Sequence, residues 1–300
     1  MLAQATVAYD VLVFYGAMAV WTALLGFGIK RKSYWPFLGF GLLVALVLNV
    51  RYFIDGQADS IAFFIGIYDT FDNLGLASNE SAPALASCAD NACSVWGDRY
   101  TRHPSWGVAF YDRFASGPAL RQNLLYAHIF FNTIAFVLLH YQLLRPGTTA
   151  NRDRHRRIGR VSFAAITAGT VFAVWMASQH ATVGEYGGVW SMFGFYSMSA
   201  FVYGSAVMSV VSIRSRDQAA HRIWSIRYAG AMWGAFWLFR VMLVVTGPLL
   251  RGYESASLLI SIWFSAPLGI AIAEYMRRRG HRCIETDDSV TPTHAAPATV

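Results

Sequence analysis

Charge is what this chain has least of. Asp, Glu, Lys and Arg make up 14% of its 300 residues, against about 25% in soluble domains, while apolar residues reach 55%. Nothing in that composition supports a soluble domain large enough to carry a nucleic-acid-binding face. No HExxH pattern occurs, which removes the common zinc-protease arrangement. No lysine falls within any long apolar run, which removes a retinal Schiff base. Gly-x-Gly at 26–28 and 39–41 lies inside apolar runs with no strand-to-helix context, so dinucleotide binding has no support. Gly16, Gly26, Gly28, Gly39 and Gly41 are instead expected to permit close helix packing.

What the chain does have is seven apolar stretches of about 20 residues, the length that crosses a bilayer as a helix. They predict spans near 8–29, 35–55, 120–144, 158–182, 190–213, 224–247 and 256–276, hence an all-α, polytopic transmembrane bundle. Most lysines and arginines lie in four places: Lys30–Lys32, Arg145–Arg160, Arg214–Arg227 and Arg277–Arg282. These are alternate gaps between spans, so one face of the membrane holds them all. Positive charge is retained on the cytoplasmic side, which predicts an outside N-terminus, a cytoplasmic C-terminus and residence in a cell membrane. The net charge of +7 then reflects topology and anionic lipid rather than nucleic acid.

The organisation reads as a two-helix unit (1–55), an exoplasmic insertion (56–119), a five-helix membrane core (120–280) and a polar tail (281–300) expected to be disordered. The insertion is rich in aromatics, from Tyr68 and Phe71 to Trp106, Tyr111 and Phe114, which predicts that it packs on the membrane surface or caps the helices. Its segment 61–68 is too short to span and suits the interface. Cys88 and Cys93, with four residues between them on the oxidising side, are expected to form a short disulfide; Cys283 falls on the reducing side. A weak internal echo is also present. The fourth and sixth spans are both entered through a His-Arg pair, His155-Arg156 and His221-Arg222, as a degenerate duplication would produce.

Ionisable groups inside a membrane are costly, so each is a candidate for function. His128, His180, Arg240 and Arg51 lie in the outer half of the predicted spans; His140, His155, His221 and Glu274 lie toward the inner side. Antiparallel third and fourth spans would let His128 and His180 face each other near the outer edge. Paired histidines on neighbouring helices suit a b-type haem or another metal, with Arg51 and Arg240 near the propionates and His140 and His221 as a second group one leaflet away. A second haem fits less well. Twelve residues from His128 to His140 leave their side chains about 120° apart around the helix. The plain alternatives are that His155 and His221 are solvated in basic turns, that His140 bonds a backbone carbonyl, and that His128 pairs with Asn132, Gln179 or Tyr126.

Three stretches carry a resemblance: AHIFFNTIAFVLLHYQLLRP (Ala127–Pro146), RDRHRRIGRVSF (Arg152–Phe163) with the span that ends near His180, and DQAAHRIWSIRYAG (Asp217–Gly230) leading to Arg240. Over about 120–248 the chain resembles the predicted bacterial membrane proteins of domain of unknown function 2306, which implies a bacterial inner membrane but no established activity. The His-Arg starts are also similar in style to cytochrome b561 and ferric reductases, a likeness of fold alone. Two functions follow as expectations. One is a haem-b or metal-binding electron-transfer protein, with a quinone among its plausible partners. The other is a haem-free transporter or membrane enzyme acting on a small lipid-soluble or anionic substrate. Neither the substrate nor the oligomeric state is fixed by these residues.

Overall fold

The computed structural model describes residues 2–60, 114, 118–144, 151–179, 188–250 and 254–279. Seven long helices follow one another: α1 (Leu2–Arg31), α2 (Trp35–Ile54), α3 (Ala119–Leu143), α4 (Arg152–Ser178), α5 (Val189–Arg214), α6 and α7 (Glu254–Arg278). α6 is continuous but irregular, running Gln218–Trp233, then a π-helical turn at Gly234–Leu238, then Phe239–Leu249. Every one is long and apolar enough to cross a membrane. No strand occurs among the described residues. The chain is an all-α multi-pass membrane protein.

The sequence sets the helix ends locally. Pro36 stands in the first turn of α2, where its missing N–H costs nothing and its fixed φ suits the helix. Asp217 caps α6, accepting a hydrogen bond from the Ala220 N–H at 2.8 Å. α4 and α6 begin at Arg152 and Gln218, about six residues before the predicted spans, so His155 and His221 stand on helices rather than in turns. Outward-facing Leu12, Val47, Val171, Phe193 and Phe264 are all exposed. Such a belt of apolar side chains is a liability in water and is the expected surface toward lipid.

Helices pack in antiparallel sequence. Asn49 of α2 donates to Thr133 of α3 at 2.7 Å, and Gln57 donates to the Gln122 carbonyl. Ser162 of α4 donates to the Ala135 carbonyl of α3. Across α6 and α7, Arg227 pairs with Glu274 at 3.7 Å. These contacts gather the arginine-rich ends of α4, α5, α6 and α7 and the Lys30–Lys32 turn at one end of the bundle. α1 and α2 share their core with the other five helices: Trp21 and Phe37 join Trp233, Trp237 and Phe136 in one buried cluster. From the aromatic insertion Phe114 is described, and it is buried with Leu124, Leu125 and Met176 on the opposite end of α3 and α4. Residues 61–113, with Cys88 and Cys93, and residues 280–300, with Cys283, lie outside the described residues.

Close approach depends on glycine mostly at places other than those the sequence suggests. Gly41 faces the Trp21 ring, as expected, and a Cβ there would overlap it. Gly16 and Gly26 have nothing within 4 Å of such a Cβ, so these two are not packing glycines; they sit on the exposed face of α1. The tightest seam is between α6 and α7, where a Cβ on Gly269 would overlap the Gly230 carbonyl and the Gly234 backbone. Small residues at a membrane interface let backbones approach and dispersion contacts accumulate. Backbone cannot move aside as a side chain can, so Gly269→Ala is expected to destabilise by about 1–3 kcal/mol. Gly16→Ala should stay within about 0.5 kcal/mol of the parent. Thermal unfolding of both variants in the same detergent measures the contrast.

Candidate functional site

Four polar groups stand within or at the ends of the bundle, and their hydrogen bonds separate structural from available side chains. His140 of α3 is 1% exposed. Its Nδ1–H donates to the Phe136 carbonyl at 2.7 Å, and its Nε2 accepts the Trp233 indole N–H at 2.8 Å. A carbonyl can only accept and an indole can only donate, so the ring is neutral with its proton on Nδ1. Neither nitrogen is left for a metal. The expectation that His140 serves a cofactor does not fit this geometry; it ties α3 to α6 inside the aromatic core, with the Phe136 ring 4.0 Å away centroid to centroid.

His128, half-buried on α3, places Nδ1 3.1 Å from the Gly169 carbonyl of α4. Asn132, one turn on, donates to the His128 carbonyl at 2.9 Å, and its amide nitrogen lies 3.0 Å from Nδ1 and 3.4 Å from Nε2. Gly169 is needed at this contact, because a Cβ there would overlap the Asn132 amide. His180 lies outside the described residues. Its chain neighbour Gln179 accepts from Arg121 at 3.0 Å, and Arg121 precedes His128 by seven residues, about 10 Å along the helix. The anticipated Asn132 partner is therefore found, whereas Gln179 belongs to Arg121.

Arg51 is paired with Asp55 at 2.9 Å near the end of α2, so it already has its counter-charge. Arg240 is different. It lies within α6, half-buried, with Nη1 donating to the Phe236 carbonyl at 2.5 Å and the guanidinium 4.0 Å over the Phe236 ring. Tyr52 of α2 stands close enough to interact with it electrostatically. Among the described residues no carboxylate lies within ion-pair distance of Arg240. The next residue, Val241, lines a groove between α1 and α6 with Tyr15, Met18, Ala19, Thr22 and Ala23; its volume is about 490 Å³ and its walls are almost wholly apolar. The partnership with Tyr52 and the adjoining groove left no mark in the sequence, since nothing in local spacing brings α2, α1 and α6 together.

At the basic end, His155 and His221 come together, with ring centroids 6.5 Å apart and planes nearly perpendicular. His221 is half-buried and donates from Nδ1 to the Ser209 carbonyl of α5 at 2.8 Å; Ser209 and Ser225 hydroxyls bond each other at 2.8 Å. His155 is exposed. From the sequence His221 is a candidate cofactor ligand, with solvated turns the plain alternative for both residues, and hydropathy alone could not show that they meet. Among the described residues no group of three or more His, Cys, Asp or Glu side chains gathers as a metal site would require.

The chain's comparison with known families falls on this same part of the bundle. The model of a predicted membrane protein family, DUF2306, matches residues 125–276, from early α3 to the end of α7. The chain belongs to the DUF2306 family. No curated protein and no solved structure matches it. The DUF2306 region contains His128, His140, His155, His221, Arg240 and Glu274, and leaves out α1, α2 and Arg51. The match extends the sequence resemblance through α7, whose Glu274 neutralises Arg227, Arg277 and Arg278.

The His140–Trp233 bond gives a direct test of its structural role. Trp233→Phe strands a buried acceptor at a cost of about 1–3 kcal/mol. A double-mutant cycle with His140→Phe should return a coupling of at least about 0.5 kcal/mol in detergent unfolding, with the absorption spectrum between 350 and 600 nm unchanged in every variant.

Proposed function

We propose that this protein binds a small, lipid-soluble anion within the membrane and works without haem, as a transporter or a membrane enzyme. The observation that carries the reading is Arg240: a guanidinium within a membrane span, over an aromatic ring and beside Tyr52, with no carboxylate to neutralise it among the described residues. An ionisable group at such depth is a functional site by default. Guanidinium suits this task because it stays charged and offers a planar fork of donors to carboxylate or phosphate. The apolar groove that includes Val241 is of the size that small-molecule sites occupy, and supplies a slot for the hydrophobic part of an amphiphile. Arg240 is the binding cation in this reading and Tyr52 a positioning residue. No residue is assigned to bond-making chemistry.

A second reading keeps the redox expectation alive on one observation. His128 donates from Nδ1 to the Gly169 carbonyl, the arrangement that orients an imidazole for metal ligation through its other nitrogen. Haem b, or a metal held by His128 and His180, would use that nitrogen. The two readings part on a single spectrum of purified protein with and without reductant. A Soret band that His128→Ala abolishes supports haem, and its absence together with iron-free and copper-free protein supports the anion.

The orientation we propose puts the basic end in the cytoplasm of a bacterial cell, as the distribution of arginine supports. A reporter fused after residue 148 should then be active only when the reporter functions in the cytoplasm.

For the anion itself, solvent extraction and negative-ion mass spectrometry should recover an amphiphile from wild-type protein. The amount should fall at least tenfold in Arg240→Gln, equivalent to about 1.4 kcal/mol of binding. Arg240→Lys should retain part of it, since charge survives but the planar fork does not. An unchanged extract from Arg240→Gln overturns the reading.

A further inference from the structure

The basic end holds a second feature that the reading of Arg240 does not use. His155 and His221 are each the fourth residue of their helices, α4 and α6, and each precedes an arginine. Their surroundings are also related. Gln142 of α3 donates to the His155 backbone carbonyl at 2.9 Å, and Ser209 of α5 holds the His221 ring at 2.8 Å. Two helical hairpins, α3–α4 and α5–α6, thus present equivalent imidazoles to one another in front of α5, at 6.5 Å between centroids.

In neutral surroundings such a pair would suit a soft divalent cation. The local charge argues otherwise. Arg152, Arg156 and Arg222 are exposed and lie within three residues of the pair along their helices, and each acid of this end has a partner. Glu274 contacts three arginines, Asp217 caps α6, and Asp153 is largely exposed beside Arg156 at 3.9 Å. Like charges repel strongly near a protein surface, so a divalent cation entering among several arginines is opposed. An anion is attracted by the same field, with guanidinium N–H groups as donors; His221, whose Nδ1–H is given to the Ser209 carbonyl, adds a donor at Nε2 only when both ring nitrogens carry protons. The height of the pair narrows the ligand. His155 lies within the basic start of α4, between Arg154 and Arg156, and His221 directly precedes Arg222 in the second turn of α6; basic residues at the start of a span are level with lipid phosphates.

We propose that His155 and His221, with Arg156 and Arg222, form a binding site for the phosphate of an acidic phospholipid headgroup at the basic end of the bundle. The pair fixes the position of the phosphate, and the arginines supply charge. His221 is set by its bond to Ser209, whereas His155, exposed and on the facing helix, closes the site. A bound headgroup joins α4 to α6, two helices whose mutual contact at this end is the imidazole pair.

The test is thermal unfolding of the full chain in a neutral detergent, titrated with phosphatidylglycerol, phosphatidylcholine, inorganic phosphate or zinc chloride. Phosphatidylglycerol should raise the midpoint by several degrees and the other three should not. His155→Ala, which removes an exposed ring, should fold normally and weaken the phosphatidylglycerol response at least threefold. His155→Ala/His221→Ala should weaken it tenfold, while Arg31→Ala, at the end of α1, and Arg240→Gln should leave it intact. If the double variant is too unstable to measure, the His155→Ala titration decides alone. An equal response to inorganic phosphate overturns the lipid assignment, a zinc response lost in His155→Ala overturns the choice of anion, and full phosphatidylglycerol response in His155→Ala overturns the site.

Discussion

Within hydrocarbon a polar group has no water to turn to, and each unsatisfied one costs several kcal/mol. Most of the polar side chains in this bundle are arranged by that constraint. Thr22, Thr167, Ser178 and Thr246 return their hydroxyls to carbonyls one turn back on their own helices. Asn49 reaches Thr133 on the next helix, and His140 is satisfied at both nitrogens by backbone and tryptophan. Serine serves a further purpose at the helix seams: Ser191, Ser257, Ser261 and Ser265 are fully buried, small enough for helices to approach closely. The constraint is not met everywhere: the Ser60 hydroxyl and the Trp237 indole N–H are buried without a hydrogen-bond partner, and Arg240 lies within a span with no acid at ion-pair distance among the described residues.

The architecture places that arginine. α6 departs from regular helix at Gly234–Leu238, level with the part of α7 that carries Pro267. Gly234 lies against the Ser265 and Ala266 backbone, so the two irregular segments face each other. A π turn shifts the phase of every residue after it, and such turns concentrate at functional sites. Phe236 lies inside the turn and offers Arg240 both its carbonyl and its ring. Its other face meets Trp21 of α1 and Phe136 of α3, which connects the cation to the aromatic core. Gly230, Gly234 and Gly269 thus line the seam on which the π turn packs, and Arg240 follows that turn along α6.

The spans were legible because length and hydropathy are local properties that the bilayer reads directly. The seven predicted helices all occur, and the alternate basic gaps gather at one end. Boundaries were less legible where helices leave the membrane. Arg152–Arg157 and Gln218–Arg222 look like loop on hydropathy, yet α4 and α6 continue through them, since backbone hydrogen bonds within a helix persist in water and an Asp cap starts α6. The glycines on α1 misled for a related reason: spacing shows that Gly16 and Gly26 are small, not which face of the helix meets a neighbour. Contacts between distant residues were beyond reach. Trp233 and His140 are separated by 93 positions, and either could have been core packing or ligand.

Desolvation weighs differently on a haem site and on an anion site. A histidine that already exchanges both ring hydrogen bonds within the protein, as His140 does, loses one to bind iron, and the loss offsets much of the gain. His128 keeps one nitrogen only lightly engaged, so it alone of the two described histidines of α3 could bind a metal without that loss. Arg240 presents the opposite balance. Removing a guanidinium from water with no acid to pair costs several kcal/mol, and the Phe236 ring and carbonyl recover only part of it, about 2 kcal/mol for a desolvated cation–π contact. On the reading proposed above, that remainder is what an anion entering from the lipid phase would offset. The amphiphile would arrive laterally through the membrane, and no aqueous pathway would be needed to deliver it.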